Sequence, residues 1–205
     1  MSADDLDLVA LICSRLCHDL AGSIGAINNG VELLAEETDP AMRDEAFGLI
    51  AQSASDAARR LAFFRFALGA SGGTDEPMGL EELNRVARDY FAGGKVAVST
   101  PDATAQSLPK PLGKALLIGL ALAAQALPRG GSMALLPNGT AWQIEAQGPM
   151  LRWTEEVAAA LDGGAAPPRE PHGAMARYAV RLAASVSYRL QAEPTATTLA
   201  LRFAP

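Results

Sequence analysis

Residues 9–34, VALICSRLCHDLAGSIGAINNGVELL, repeat apolar side chains at Val9, Ile12, Leu16, Leu20, Ile24, Ile27, Val31 and Leu34. Steps of three and four keep those residues on one face of a helix, so the stretch predicts a long amphipathic helix with that stripe toward a core. At roughly 100° per residue, His18 falls about 180° from the middle of the stripe and points to solvent. One and two turns away stand Ser14, Ala21, Gly22 and Gly25, where an ordinary surface helix carries Glu, Lys or Gln. Each glycine inside a helix costs about 1 kcal/mol relative to Ala, so small size at these positions answers to something other than helix stability. Close approach by another protein is the expected reason. A neutral imidazole, with an ordinary pKa of about 6.5, is a competent nucleophile near pH 7.

The chain around this helix has 205 residues, 49% of them hydrophobic and 20% charged, a core-building composition that predicts one large or two small folded domains. A net charge of -6, without clustered Lys and Arg, excludes nucleic acid as an expected partner. The apolar run Leu112 to Leu127 is interrupted by Lys114 and is shorter than the roughly 20 residues a bilayer crossing needs. The start, Met1-Ser-Ala-Asp-Asp-Leu-Asp, has no basic secretory character, so the expected compartment is the cytoplasm. Cys13 and Cys17, one turn apart near the stripe's edge, read as small buried residues in a reducing compartment. A metal site there would need two more ligands, and the other histidine, His172, lies in a distant segment.

Ser2 is a plausible cap for the first helix, which runs to about Glu36; Thr38-Asp39-Pro40 then supplies a break, a cap and a first-turn proline for a second helix. That second helix repeats Phe47, Ile50, Ala54, Ala57, Leu61, Phe64 and Leu68, and stops at a glycine-rich piece from Gly69 to Pro77. A two-helix hairpin leaves its apolar stripe open on one side, and a second copy giving a dimeric four-helix bundle is the economical cover. Phe63 and Phe66 fall off that stripe, as scattered surface aromatics or as contacts to a second domain. Beyond the linker the pattern changes. Helices are predicted over 80–92, 111–127, 155–161 and 173–186, with strands over 95–100, 132–136, 141–146, 189–192 and 198–203 and a hairpin turn at Pro137-Asn138-Gly139. Helices covering one side of a mostly antiparallel sheet make an α+β sandwich. The domains are residues 1–70, a linker over 71–78, and residues 79–205.

The motif Arg15-Leu16-Cys17-His18-Asp19-Leu20-Ala21-Gly22, followed by Asn28-Asn29-Gly30-Val31-Glu32-Leu33-Leu34, resembles the phosphoacceptor helix of ChpT-like histidine phosphotransferases, relatives of the dimerisation and phosphotransfer domain of sensor kinases. The second half is similar to the ATP-binding (Bergerat-type) domain of histidine kinases in degenerate form. Gly119 and Ala123 stand where that pattern puts Asn, Ala146 replaces its adenine-reading Asp, Met150 replaces a Gly, and only Gly148 is kept. The last glycine-rich box would lie at Pro171-His172-Gly173-Ala-Met-Ala176, with one Gly left, and 162–171 is too brief for a lid. His172 reads as a structural or solvated residue rather than a second phosphoacceptor.

The resemblance implies a homodimeric phosphotransferase that takes a phosphoryl group from the receiver Asp of a hybrid histidine kinase onto His18 and passes it to the receiver Asp of a response regulator. Asp19 would orient the imidazole or take its proton, although neighbours on a helix diverge by about 100°. Arg15 would meet phosphoryl oxygens, and Ser14, Ala21, Gly22, Gly25 and Asn29 would form the docking face. No cofactor and no ATP are implied, Mg²⁺ belonging to the partner receiver; neither nucleic acid nor membrane is a partner. Two rivals remain open at this point: an ATP-dependent sensor kinase core, and a non-catalytic scaffold that docks receivers.

Overall fold

No proline interrupts residues 3–36, Asp4 and Asp5 fall in the first turn where acids favour a helix start, and the chain there is one unbroken helix. In the computed structural model, which describes residues 3–69, 76–102, 106–164 and 166–205, α1 spans Ala3–Glu36 and α2 spans Pro40–Leu68. The predicted Ser2 cap lies outside the described residues. Asp39 caps α2 by accepting from the Ala41 N–H at 3.1 Å, with Pro40 in the first turn. Arg43 donates to the carbonyls of Leu34 (2.6 Å) and Glu37 (2.8 Å), which satisfies oxygens left over at the end of α1 and folds α2 back antiparallel. The two helices approach closely at Gly30, where a Cβ would meet Ile50 Cγ1 at 2.5 Å.

The predicted stripe is only partly buried by its own chain. Val31 is 53% and Phe47 55% exposed, and Val9, Ile24 and Leu61 are equally open. The reason is geometric, since two helices can bury only the strip between them. Cys13 and Cys17, expected to be buried, are free and exposed for the same reason: among the described residues nothing covers the edge on which they sit. By length and composition residues 4–36, which contain an 18-residue window of mean hydropathy 1.3, are apolar enough to cross a membrane. Arg15, Asp19 and Glu32 within the span, and its packing along α2, are instead the marks of a bundle helix.

The second part contains β1 (Met78–Gly79), α3 (Leu80–Phe91), β2 (Val96–Ser99), β3 (Ser107–Leu108), α4 (Lys110–Gln125), β4 (Gly131–Asn138) and β5 (Ala141–Gln147). It continues with α5 (Glu155–Leu161), α6 (Pro171–Ala184), β6 (Arg189–Pro194) and β7 (Thr198–Ala204). Among the described residues, strands in the order β2-β4-β5-β7-β6 form one sheet, parallel only at β2–β4. Its inner face alternates Met133 and Leu135, Trp142 and Ile144, and Leu199, Leu201 and Phe203, all buried beneath α4. The hairpin turns one residue later than its sequence indicates: Pro137 and Asn138 still pair with Trp142 and Ala141, and Gly139, at φ 61°, starts the reversal. Met78, assigned to the linker, is buried and pairs with Leu108 in a short antiparallel ladder. Two-residue strands carry too little periodicity to be read from sequence.

Phe63 joins the two parts. It is fully buried and stacked on Tyr90 of α3, with ring centroids 3.9 Å apart, and Phe64 meets the same ring edge-on. Phe66 also packs, half-buried, against the second domain's core. Further ties are Lys114 Nζ donating to the Gly69 carbonyl, and Arg181 paired with Asp5 at 2.7 Å.

Candidate functional site

His18 stands in the middle of α1 on the side away from α2, and its side chain is 83% exposed. Around it Ser14, Ala21, Gly22 and Asn29 are exposed and Gly25 half-buried, so every residue expected on the docking face reaches the surface. At Gly22 and at Gly25 a Cβ would meet nothing within 4 Å. The contrast with Gly30, where helix packing demands the absence of a side chain, is informative: among the described residues nothing requires glycine beside His18. Small residues there keep open a surface that the fold would let larger ones fill.

Asp19, one residue on, turns inward, its side chain 6% exposed, yet Oδ1 lies 3.4 Å from His18 Nδ1. The angular divergence between neighbours is overcome because the carboxylate reaches back toward the ring from below. Arg15, one turn earlier, is 17% exposed and places Nη2 3.0 Å from Asp19 Oδ2. That contact is an ion pair without a well-aligned hydrogen bond, as the buried Oδ2 receives no directed donor. Arg15 Nη1 donates to His172 Nε2 at 2.7 Å. In this arrangement the Arg15 guanidinium meets Asp19 and His172. The charge on Asp19 also reaches Tyr90, whose hydroxyl is pushed above its ordinary pKa first by burial and then by that carboxylate.

His172, read from the sequence as a structural or solvated residue, stands in the first turn of α6 and is hydrogen-bonded to Arg15. It is half-buried, and its pKa is lowered by burial first and by the Arg15 cation second, with Asp19, Glu170 and Glu156 acting in the opposite sense. Its sequence signal was slight, a lone His after a proline at a helix start; only the fold carries it across to α1.

Between α4, α5 and α6 lies a cleft of about 290 Å³ lined by Gln125, Arg152, Trp153, Glu170 and His172 among others. This is at the lower limit of ligand pockets, which run from about 300 to 1,000 Å³. Gly119 faces the sheet, where a Cβ would strike Ile144 and Phe203 at 2.9 Å, and Ala123 is buried. Gly148 is pressed against the Gly130 carbonyl, 2.6 Å from where its Cβ would be. Each of these residues serves packing. At the entrance to α6, where backbone N–H groups and the helix dipole favour an anion, Glu156 Oε1 accepts from Arg169 N (2.7 Å) and Glu170 N (2.6 Å). The same carboxylate lies 2.7 Å from where a Cβ on Gly173 would be. The chain's own acid fills its anion seat. Among the described residues no three His, Cys, Asp or Glu side chains converge as a metal site.

The family described as histidine phosphotransferase C-terminal domain matches residues 80–198. The protein phosphotransferase ChpT of Brucella abortus (strain 2308) is 37% identical over 197 residues, which cover 93% of this chain and 92% of that protein. A bacterial phosphotransferase of solved structure superimposes with a TM-score of 0.85 at 35% identity, over 99% of this chain and 97% of its own.

Proposed function

Because the chain belongs to the histidine phosphotransferase family, and is in that sense a phosphotransferase of phosphorelay signalling, we propose that His18 is the residue on which it carries the phosphoryl group. The observation that carries the assignment is an imidazole wholly open to a partner on one side and backed by a buried carboxylate on the other. With its proton on Nδ1, facing Asp19, the ring keeps a lone pair on the outward Nε2. That lone pair attacks the phosphorus of a receiver's aspartyl phosphate in line. A P–N bond forms, the P–O bond to the aspartyl carboxylate breaks, and the leaving carboxylate takes the bonding electrons. The ring becomes positive as the bond forms, and the Asp19 charge beside Nδ1 opposes that cost. The reverse sequence delivers the group to a second receiver. Neutralisation of the phosphoryl oxygens falls to the receiver's own Mg²⁺ and cations.

The same reading makes the chain an ATP-independent transferase acting in the cytoplasm on a hybrid kinase and its response regulators. Support comes from Glu156 in the anion seat of α6 and from glycines committed to packing. It also makes the molecule a homodimer, since Val31, Phe47 and Leu61 form an apolar face that a second copy would cover as a four-helix bundle.

The test is His18→Gln. Incubated with a receiver domain phosphorylated by acetyl phosphate, the native chain is expected to acquire acid-labile, base-stable phosphate. H18Q, unchanged in its melting curve because the ring is outside the core, is expected to acquire none. Labelling retained by H18Q removes the assignment, and failure of the native chain to be labelled favours a docking scaffold.

A further inference from the structure

The contacts at His18 do not end in its own helix. Asp19 reaches His18, Arg15 reaches Asp19, and Arg15 in turn donates to His172, 157 residues away in sequence and on the other domain. We infer that His172 is a positioning residue for phosphoryl transfer: its neutral Nε2 anchors the Arg15 guanidinium, which holds the Asp19 carboxylate against Nδ1 of the acceptor imidazole. The inference rests on His18 being the acceptor.

Distance and burial carry the argument. The Asp19–His18 contact, at 3.4 Å, lies at the long limit of a useful hydrogen bond, so a small rotation of the carboxylate breaks it. What limits that rotation is Arg15, and a guanidinium on a long, flexible side chain is fixed only by what its other nitrogens meet. Nη1 meets His172 at 2.7 Å, the shortest contact in the series. Arg15 has no proton acceptor, so His172 must present a bare Nε2 and carry its proton on Nδ1. A protonated His172 would face Arg15 with a donor and a like charge, and the anchor would release.

The groups facing His172 are Arg15 and Asp19 from α1, Glu156 from α5 and Glu170 beside it; burial and Arg15 outweigh the acids and favour the neutral ring. The anchored state is accordingly the one present near neutral pH, and it is lost as pH falls below the depressed pKa. In a phosphorelay such an anchor lets the second domain set the reactivity of a histidine it does not touch.

His172→Ala, His172→Gln and His18→Gln are to be compared by initial rate of phosphate uptake from a receiver phosphorylated by acetyl phosphate, between pH 5 and 8. The ring ¹⁵N shifts of His18 are to be recorded in parallel. At pH 7.5 H172A is expected to transfer roughly tenfold more slowly, a modest loss of the kind a mispositioned acid–base partner gives. Its His18 is expected to move from predominantly Nδ1-protonated toward a mixture of tautomers. H172Q, whose amide oxygen also accepts from Arg15, is expected to recover most of the rate. The ratio of native to H172Q rate, in which effects common to both proteins cancel, should fall as the medium is acidified through the depressed pKa of His172. A native rate and tautomer in H172A overturn the inference while leaving His18 as acceptor; uptake by H18Q overturns the reading beneath it. Should H172A not fold, the ratio decides alone, and a flat ratio overturns the inference.

Discussion

At the scale of single residues, the informative contrast is between glycines of one helix. Gly30 is required by the chain itself, because Ile50 occupies the space a side chain would take. Gly22 is not, since a Cβ there meets nothing. Replacing Gly22 by Arg should therefore stabilise α1 by about 0.5–1 kcal/mol on helix propensity alone. The same change should cut phosphate uptake from a receiver at least tenfold by crowding His18. A melting curve and a transfer assay on one sample check both halves, and a variant that is more stable and fully active would show that no partner comes near Gly22. The spacing of small residues made this surface legible in the sequence. The contacts of Arg15 were not legible there, for a physical reason: helical position fixes where a Cα stands, whereas a long side chain follows its partners, here Asp19 and, on the second domain, His172.

At the scale of elements, the two long helices were legible because each signal is local: periodicity, an Asp-Pro start at Asp39-Pro40, and a stop at Gly69. So was the alternation of the sheet's strands. The ladder of Met78 with Leu108 was not, as both strands are made by a pairing across about 30 residues rather than by their own pattern. The open face of the hairpin gives a prediction proper to this scale. Phe47→Asp should leave helix content unchanged, because the ring contributes little to the chain's own core, yet weaken self-association at least a hundredfold by placing an unpaired charge in a buried seam. Sedimentation of the native chain as a dimer and of F47D as a monomer is the expected result. A native monomer at micromolar concentration would contradict the bundle.

At the scale of the whole molecule, the second domain packs Gly119 and Gly148 against their neighbours and seats its own Glu156 carboxylate at the entrance to α6. The scarcity of glycines before α6 was readable in sequence; the seating of Glu156 was not, because it comes from α5 and its carboxylate meets N–H groups of Arg169 and Glu170 only once α5 and α6 are packed together. Titration with ATP and Mg²⁺, followed by calorimetry, is expected to show no saturable binding up to millimolar concentration, since phosphates would have to displace a carboxylate already hydrogen-bonded in place. Saturation in the micromolar range would restore a kinase reading.

The strapping of this domain to the helices has its own outcome. A carrier that delivers a reagent to an imidazole has to swing, whereas the stacked Phe63–Tyr90 pair, the Arg181–Asp5 bridge and the Lys114 contact with Gly69 tie this domain directly to the helical hairpin. On the proposed reading, what such a body offers an incoming signalling protein is a fixed berth, with the His18 ring already facing outward.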